Sequence, residues 1–167
     1  MTKIILLNKA KEEKRKMAKL ELAGRSASYI FEGAGGMRDL LEQTILKEMQ
    51  ERQYPKKATL TTIKAGKGLA GVLFGTKDQC VVIDIDGESQ VVISNTTVGT
   101  YLYVGIYLMV EEKNNLFSSL AAMTDDLFKQ QGREALYAAA IAATESAFGE
   151  LQLKQCNSGY KSMSKSN

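Results

Sequence analysis

Residues 98–110 read VGTYLYVGIYLMV, and this stretch decides the fold. Within it, aliphatic side chains alternate with Tyr101, Tyr103, Tyr107 and Met109. Successive side chains of a β-strand leave opposite faces, so the alternation predicts a strand with one aliphatic face and one tyrosine face. Neither face carries a charged side chain, and we therefore expect both faces to be covered.

The tyrosine face, formed by Tyr101, Tyr103, Tyr107 and Met109, is the predicted binding surface. Burying one tyrosine removes roughly 150 Å² or more from water, which at about 25 cal/mol per Å² stabilises the fold by several kcal/mol. We expect either the C-terminal helix or a second copy of the chain to supply the cover. Gly105 predicts a shallow notch in this face, where another backbone or a flat ligand can approach closely.

The sequence before this stretch also repeats with a period of two residues. Turn signals divide it, and the pattern predicts five strands in all, at about residues 57–64, 69–75, 79–85, 89–94 and 98–111. The connections are too short for crossover helices, so we expect an antiparallel meander. The most secure hairpin turns at Asp86-Gly87, because this pair tolerates the positive φ angles of a two-residue turn.

Helical segments flank the predicted sheet. A glycine cluster at residues 33–36 precedes an amphipathic helix over residues 37–49, and it predicts a flexible hinge or, less securely, backbone amides open to an anion. A long helical pattern follows residue 115 and predicts either one long helix or two consecutive helices divided at Gly132. The predicted fold is therefore α+β, with N-terminal helices, a five-stranded antiparallel meander and a long C-terminal helix packed on the sheet.

The chain is expected to divide into three parts. Residues 1–35 form a basic helical arm with the glycine-rich hinge, residues 36–153 form a single α+β domain, and residues 154–167 form a disordered tail. Between residues 9 and 25 there are seven basic and three acidic residues, although the whole chain carries only +3. The basic side chains assigned to the arm are Lys9, Lys11, Lys14, Arg15, Lys16 and Lys19.

Composition excludes several kinds of chemistry. The chain has no histidine, which rules out Ser/His/Asp and Cys/His nucleophile systems and histidine-based metal sites. Its two cysteines are far apart in sequence and form no disulfide framework, and no apolar run reaches the roughly 20 residues that span a membrane. We expect a cytoplasmic protein that is not an enzyme and needs neither a metal nor a cofactor.

One glycine motif has the form of a nucleotide-binding loop. Residues 66–71 read GKGLAG, which has the spacing of a phosphate-binding loop after a predicted strand. A dinucleotide loop must lead into a helix, whereas VLF follows here and continues the strand pattern. A glycine-rich hairpin turn is the favoured interpretation.

Three functions stay open from the sequence. The first is a non-enzymatic protein-interaction module, self-associating as a homo-oligomer through the tyrosine face and the C-terminal helices. The second is binding of nucleic acid or another anionic surface by the basic arm. The third is a small-molecule pocket between the sheet and the C-terminal helix, lined by Tyr101, Tyr103, Tyr107 and Phe128.

Overall fold

The computed structural model describes residues 20–63, 78–111 and 120–156. Five strands and two helices lie in these ranges, together with a 3₁₀ turn at Gly35–Met37 that leads into the first helix. In chain order the elements are β1 (Leu20–Phe31), α1 (Arg38–Glu51), β2 (Ala58–Ile63), β3 (Asp78–Asp84), β4 (Ser89–Val98), β5 (Tyr101–Glu111) and α2 (Leu120–Glu150).

The strands form one sheet in the order β1-β5-β4-β3-β2, and each neighbouring pair is antiparallel. Strands β2 to β5 are a meander, while α1 carries the chain from β1 at one edge to β2 at the other. The predicted α+β class, the five-stranded antiparallel sheet and the long C-terminal helix packed on it are confirmed.

The strand at the β1 edge corrects the sequence prediction. Residues 20–25, predicted as the end of a basic helix, belong to a strand that pairs with β5 from Leu20 to Phe31, with a bulge between Leu22 and Ser26. Pairing with a neighbouring strand overrides a modest helix propensity. Residues 20–31 are therefore part of the same sheet as the rest of the fold. The predicted strand at 69–75 and the basic side chains at 9–19 lie outside the described residues.

The junction between β1 and α1 is fastened to the sheet and is not an open hinge. The N–H of Gly35 donates to the carbonyl of Thr100 at 3.0 Å, and the Thr97 hydroxyl donates to the carbonyl of Gly35 at 2.9 Å. A Cβ at Gly35 would lie 2.6 Å from the Gly99 carbonyl oxygen. The glycine is needed for close backbone approach, and its amide is already used by protein.

The β3–β4 hairpin forms where it was predicted. Gly87 has a φ of +78°, and its N–H donates to Oδ1 of Asp84 at 2.7 Å. Oδ1 of Asp86 accepts both the Glu88 N–H and the Ser89 hydroxyl. Asp84 and Asp86 thus stabilise the turn by accepting its hydrogen bonds.

The C-terminal helix is continuous. It runs from Leu120 to Glu150 without a break at Gly132, so of the two predicted alternatives the single long helix is confirmed. A Cβ at Gly132 would meet nothing within 4 Å, and one glycine costs a long, packed helix only about 1 kcal/mol. After the helix, Cys156 donates its N–H to the carbonyl of Ile30 at 2.8 Å, so the predicted disordered tail is wrong at this residue. Within the described ranges, no helix has the length and apolar character needed to cross a membrane.

Candidate interaction surface

The two helices cover the aliphatic face of the sheet. Leu102, Val104 and Ile106 of β5 are fully buried in the main core, which also contains the buried alanines of α2. The hydroxyl of Tyr137 on α2 donates to the carbonyl of Ile106 at 3.2 Å. Because side chains alternate along β5, the tyrosine face points away from α2, and the prediction that the C-terminal helix covers this face is wrong.

The side chains of the tyrosine face differ widely in exposure. Tyr107 is only 8% exposed and belongs to a second, smaller buried cluster with Cys80 and Val92. Tyr103 and Met109 are half-buried, and Tyr101, beside the β4–β5 turn, is 43% exposed. Burial, followed by the hydrogen bond with Tyr103, raises the pKa of Tyr107 above that of a free phenol. The phenol is therefore neutral across the physiological range.

The predicted notch at Gly105 is already filled. A Cβ at Gly105 would lie 2.6 Å from both Cε2 and Cζ of Tyr107, so the tyrosine ring lies directly over the glycine. An aromatic ring placed over a strand glycine replaces the packing that the missing side chain would provide. No space is left there for another backbone or a flat ligand.

The predicted pocket residues do not come together. Tyr101, Tyr103 and Tyr107 lie on the face away from the helices, whereas Phe128 lies on α2 and is 66% exposed. The space between sheet and α2 is occupied instead by side chains of the main core. Among them, the ring of Phe148 contacts that of Phe31, with centroids 4.7 Å apart. A small-molecule pocket with the predicted lining is therefore not formed.

Three ion pairs hold α2 at the level of residues 133 and 134. Arg133 donates to Oδ2 of Asp86 at 2.6 Å and to Oε2 of Glu88 at 3.2 Å, both in the β3–β4 hairpin. Arg25 of β1 donates to Oε1 of Glu134 at 3.0 Å. These contacts fix the rotation of α2 about its own axis and hence which side of the helix meets solvent.

The ion pair with Arg133 also affects the ionisation of Asp86. Burial alone would raise the pKa of Asp86, but Arg133, Ser89 and the Glu88 N–H all stabilise the carboxylate. Their sum lowers the pKa of Asp86 below its usual value. The hairpin therefore holds α2 most firmly while Asp86 is ionised.

The solvent side of α2 carries an unusual surface. Every exposed residue from Gly132 to Ala142 is glycine or alanine, and at its N-terminal end the exposed side chains include Leu127 (53%) and Phe128 (66%). We call this surface the outer stripe of α2; its members are Leu127, Phe128, Gln131, Gly132, Ala135, Ala138, Ala139, Ala142 and Gly149. An ordinary solvent-facing helix side carries charged residues, and from Gly132 to Ala142 this one carries none; beyond Ala142 the exposed Glu145 precedes Gly149.

The outer stripe was missed by sequence reasoning, although a signal was present. Phe128, Ala135, Ala142 and Gly149 recur at intervals of seven, which keeps them on one side of a helix. The larger aliphatic and aromatic residues of the same segment predict which side of the helix is buried, and the small residues between them give a weaker signal. The small residues at 138–143 permit close approach to another helix or to a sheet.

Two further predictions concern the basic arm and the absence of a metal site. The basic side chains from Lys9 to Lys19 lie outside the described residues, so binding to an anionic surface stays a prediction. Across the parts of the chain that the structure describes, no three side chains of the metal-ligating types Cys, Asp and Glu gather closely enough to hold a metal ion.

Comparison with known proteins adds little. No protein-family model matches the chain, and no curated protein matches it. Among solved structures it is similar to the crystal structure of Ara h 8.0201, at 12% sequence identity, covering 71% of this chain and 98% of that one, with a TM-score of 0.20. A likeness this distant supports no statement about family or function.

Proposed function

We propose that the chain is a non-enzymatic protein-interaction module that self-associates, and that its contact surface is the outer stripe of α2. The observation that carries the proposal is the exposed, uncharged side of the helix from Leu127 to Ala142. Alanine and glycine let the axes of two helices approach to about 8 Å, the lower end of the usual range. A second helix is therefore the partner that fits this surface best.

Burial supplies the driving force. Covering a whole Leu or Phe side chain stabilises a complex by about 1.5–3 kcal/mol. Leu127 and Phe128 each leave more than half of their surface in water, so each has about 1–2 kcal/mol still to gain. The alanines add little individually, but they allow the close contact that makes this burial possible.

The tyrosine face is the weaker candidate for the same role. Tyr107 is already buried within its own chain and would gain almost nothing from a partner. The exposed apolar side chains near that face, Tyr101 and Val98 (67% exposed), lie together at the β4–β5 turn. They lie at one end of the sheet and form a much shorter surface than the outer stripe of α2.

The test is the mass of the particle in solution. Multi-angle light scattering across concentrations up to about 0.5 mM covers dissociation constants in the micromolar to millimolar range. The wild-type mass should rise from one chain towards two as concentration increases. The double variant Ala138→Glu, Ala142→Glu keeps good helix formers and should weaken association at least tenfold, because it places unpaired charges in the contact.

A matched control adds the same charge elsewhere. Gln43 and Gln50 are exposed on α1, and the variant Gln43→Glu, Gln50→Glu should associate like the wild type. A wild-type mass of one chain at every concentration, or undiminished association of the α2 variant, would refute the proposal.

A further inference from the structure

We propose that Asp86 is a site of spontaneous isoaspartate formation, and that its ion pair with Arg133 of α2 controls the rate of this reaction. The proposal does not depend on self-association. It starts from the sequence, in which Asp86-Gly87 is the one place where glycine follows an aspartate or an asparagine. Glycine has no side chain to hinder attack by its backbone nitrogen on the preceding carboxyl group.

The reaction has two steps and needs only water as co-reactant. The backbone nitrogen of Gly87 attacks Cγ of Asp86, the new N–Cγ bond closes a succinimide ring, and the carboxyl OH leaves as water with the amide proton. Water then adds to one of the two ring carbonyls. Cleavage of the new bond restores aspartate, whereas cleavage of the original peptide bond yields isoaspartate, in which the backbone runs through Cγ. The first step requires a neutral carboxyl group, because an ionised carboxylate has no OH to lose.

The structure holds Asp86 in the unreactive, ionised form. Its Oδ2 accepts Nε–H of Arg133 at 2.6 Å, and its Oδ1 accepts the Ser89 hydroxyl at 2.8 Å and the Glu88 N–H at 3.0 Å. Hydrogen bonds to an ionised group are stronger than those between neutral groups, so these three fix the carboxylate in place. Burial opposes ionisation, but these partners outweigh it and lower the pKa of Asp86.

The attacking nitrogen is held as well. The Gly87 N–H donates to Oδ1 of Asp84 at 2.7 Å. Closing the ring breaks this hydrogen bond, because the nitrogen must give up its proton. The folded hairpin therefore protects both reacting groups.

Arg133 makes this protection depend on α2, whereas the other partners of the reacting groups lie in the hairpin itself. The Arg133 side chain is 15% exposed and also donates to Oε2 of Glu88 at 3.2 Å. Loss of the contact frees Oδ2 of Asp86 and allows the carboxyl group to take up a proton. Isoaspartate cannot restore the contact, because its backbone is one carbon longer and its side chain one carbon shorter. Detachment of α2 from the hairpin is thus converted into a lasting covalent change.

The rate is measured on the full chain at neutral pH by peptide mapping. Liquid chromatography of a digest separates the isomeric peptides, and electron-transfer fragmentation identifies isoaspartate at position 86. The wild-type chain unfolded in guanidinium chloride gives the unprotected rate. The folded wild type should react at least about thirtyfold more slowly than the unfolded chain, and Arg133→Gln should raise the folded rate about fivefold to thirtyfold.

Two further variants sharpen the test. Lys129→Gln is the matched control, because it removes the same charge from an exposed position of α2 one turn before Arg133, and it should react like the wild type. Ser89→Ala leaves Arg133 in place but removes the hydroxyl that donates to Asp86, and it should raise the rate about twofold to tenfold. Amide hydrogen exchange establishes that each variant is folded.

Faster isoaspartate formation in folded Arg133→Gln and Ser89→Ala, with Lys129→Gln unchanged, supports the proposal. Equal rates in the wild type and folded Arg133→Gln, or in the folded and unfolded wild type, overturn it. If Arg133→Gln does not fold, an unchanged rate in Ser89→Ala overturns it. Equal acceleration by Lys129→Gln also overturns it, because the effect then belongs to net charge and not to the contact. Light scattering measures self-association separately, so the two proposals fail independently.

Discussion

Replacing Gly105 with alanine should destabilise the fold, because the ring of Tyr107 occupies the space that the new methyl group needs. The added Cβ would lie 2.6 Å from Cε2 and Cζ of the ring, whereas ordinary contacts begin at 3.4 Å. The ring must therefore move by about 1 Å. It is not loose: Tyr107 is buried against Cys80 and Val92.

The magnitude follows from two opposing effects. Overpacking a well-packed site costs about 1–3 kcal/mol. Replacing glycine by alanine in a conformation that alanine tolerates gains about 0.4–1 kcal/mol through the unfolded chain. Gly105 lies within β5 and shows no positive φ, so this gain applies. The net expectation is a loss of about 1–2 kcal/mol.

A double-mutant cycle isolates the ring as the cause. Urea unfolding is measured for the wild type, Gly105→Ala, Tyr107→Leu and the double variant, with the midpoint compared at constant slope. In the Tyr107→Leu background the shorter side chain leaves Gly105 open, so the alanine should be neutral or stabilising. The expected coupling is about 2 kcal/mol. Equal costs in both backgrounds, or a stable Gly105→Ala single variant, would show that the ring does not lie over the glycine.

Three other outcomes follow from the structure. Gly35→Ala should lower the free energy of unfolding by at least about 1 kcal/mol, since its Cβ would meet the Gly99 carbonyl oxygen, and thermal unfolding will show it. Arg133→Gln should cost about 1–2 kcal/mol at pH 7. Because the pKa of Asp86 is lowered in the folded chain, the contribution of its carboxylate to stability is fully present above about pH 4 and is lost as acid protonates the carboxylate. Urea titrations should therefore show a smaller difference in the free energy of unfolding between variant and wild type at pH 3 than at pH 7. Tyr101→Phe should change stability by less than about 0.5 kcal/mol, because its hydroxyl is exposed and its bond to a carboxylate is 3.4 Å long.

The strand at residues 98–110 shows what a sequence pattern can and cannot predict. Its alternation predicted a strand with two apolar faces, and β5 confirms the strand. The pattern could not predict which face the helices cover, because both faces favour burial. That choice depends on shape: the alanines of α2 pack closely against branched aliphatic side chains, and Tyr107 closes the other face by folding over Gly105.

The edge strand β1 was not predicted, because its local sequence favours a helix. Basic and acidic helix formers dominate residues 9–25, and local propensity favoured a helix there. Residues 26–31 do alternate, with Ala27, Tyr29 and Phe31 on the core side, but the preceding charged run obscured this short signal. The strand is stabilised by hydrogen bonds to β5, which is about 80 residues away in sequence. Long-range pairing of this kind leaves almost no local trace.

The candidate surface emerges when these corrections are combined. Helices cover the aliphatic face, and Tyr107 covers the centre of the tyrosine face. Among residues 127–150 of α2, the largest exposed apolar side chains are then Leu127 and Phe128. The ion pairs of Arg133 and Glu134 prevent the helix from rotating these side chains inward. A helix that turned by half a revolution would bury Phe128 but break both contacts. The exposure of the outer stripe is thus maintained by the fold, which is the property required of a surface that meets another molecule.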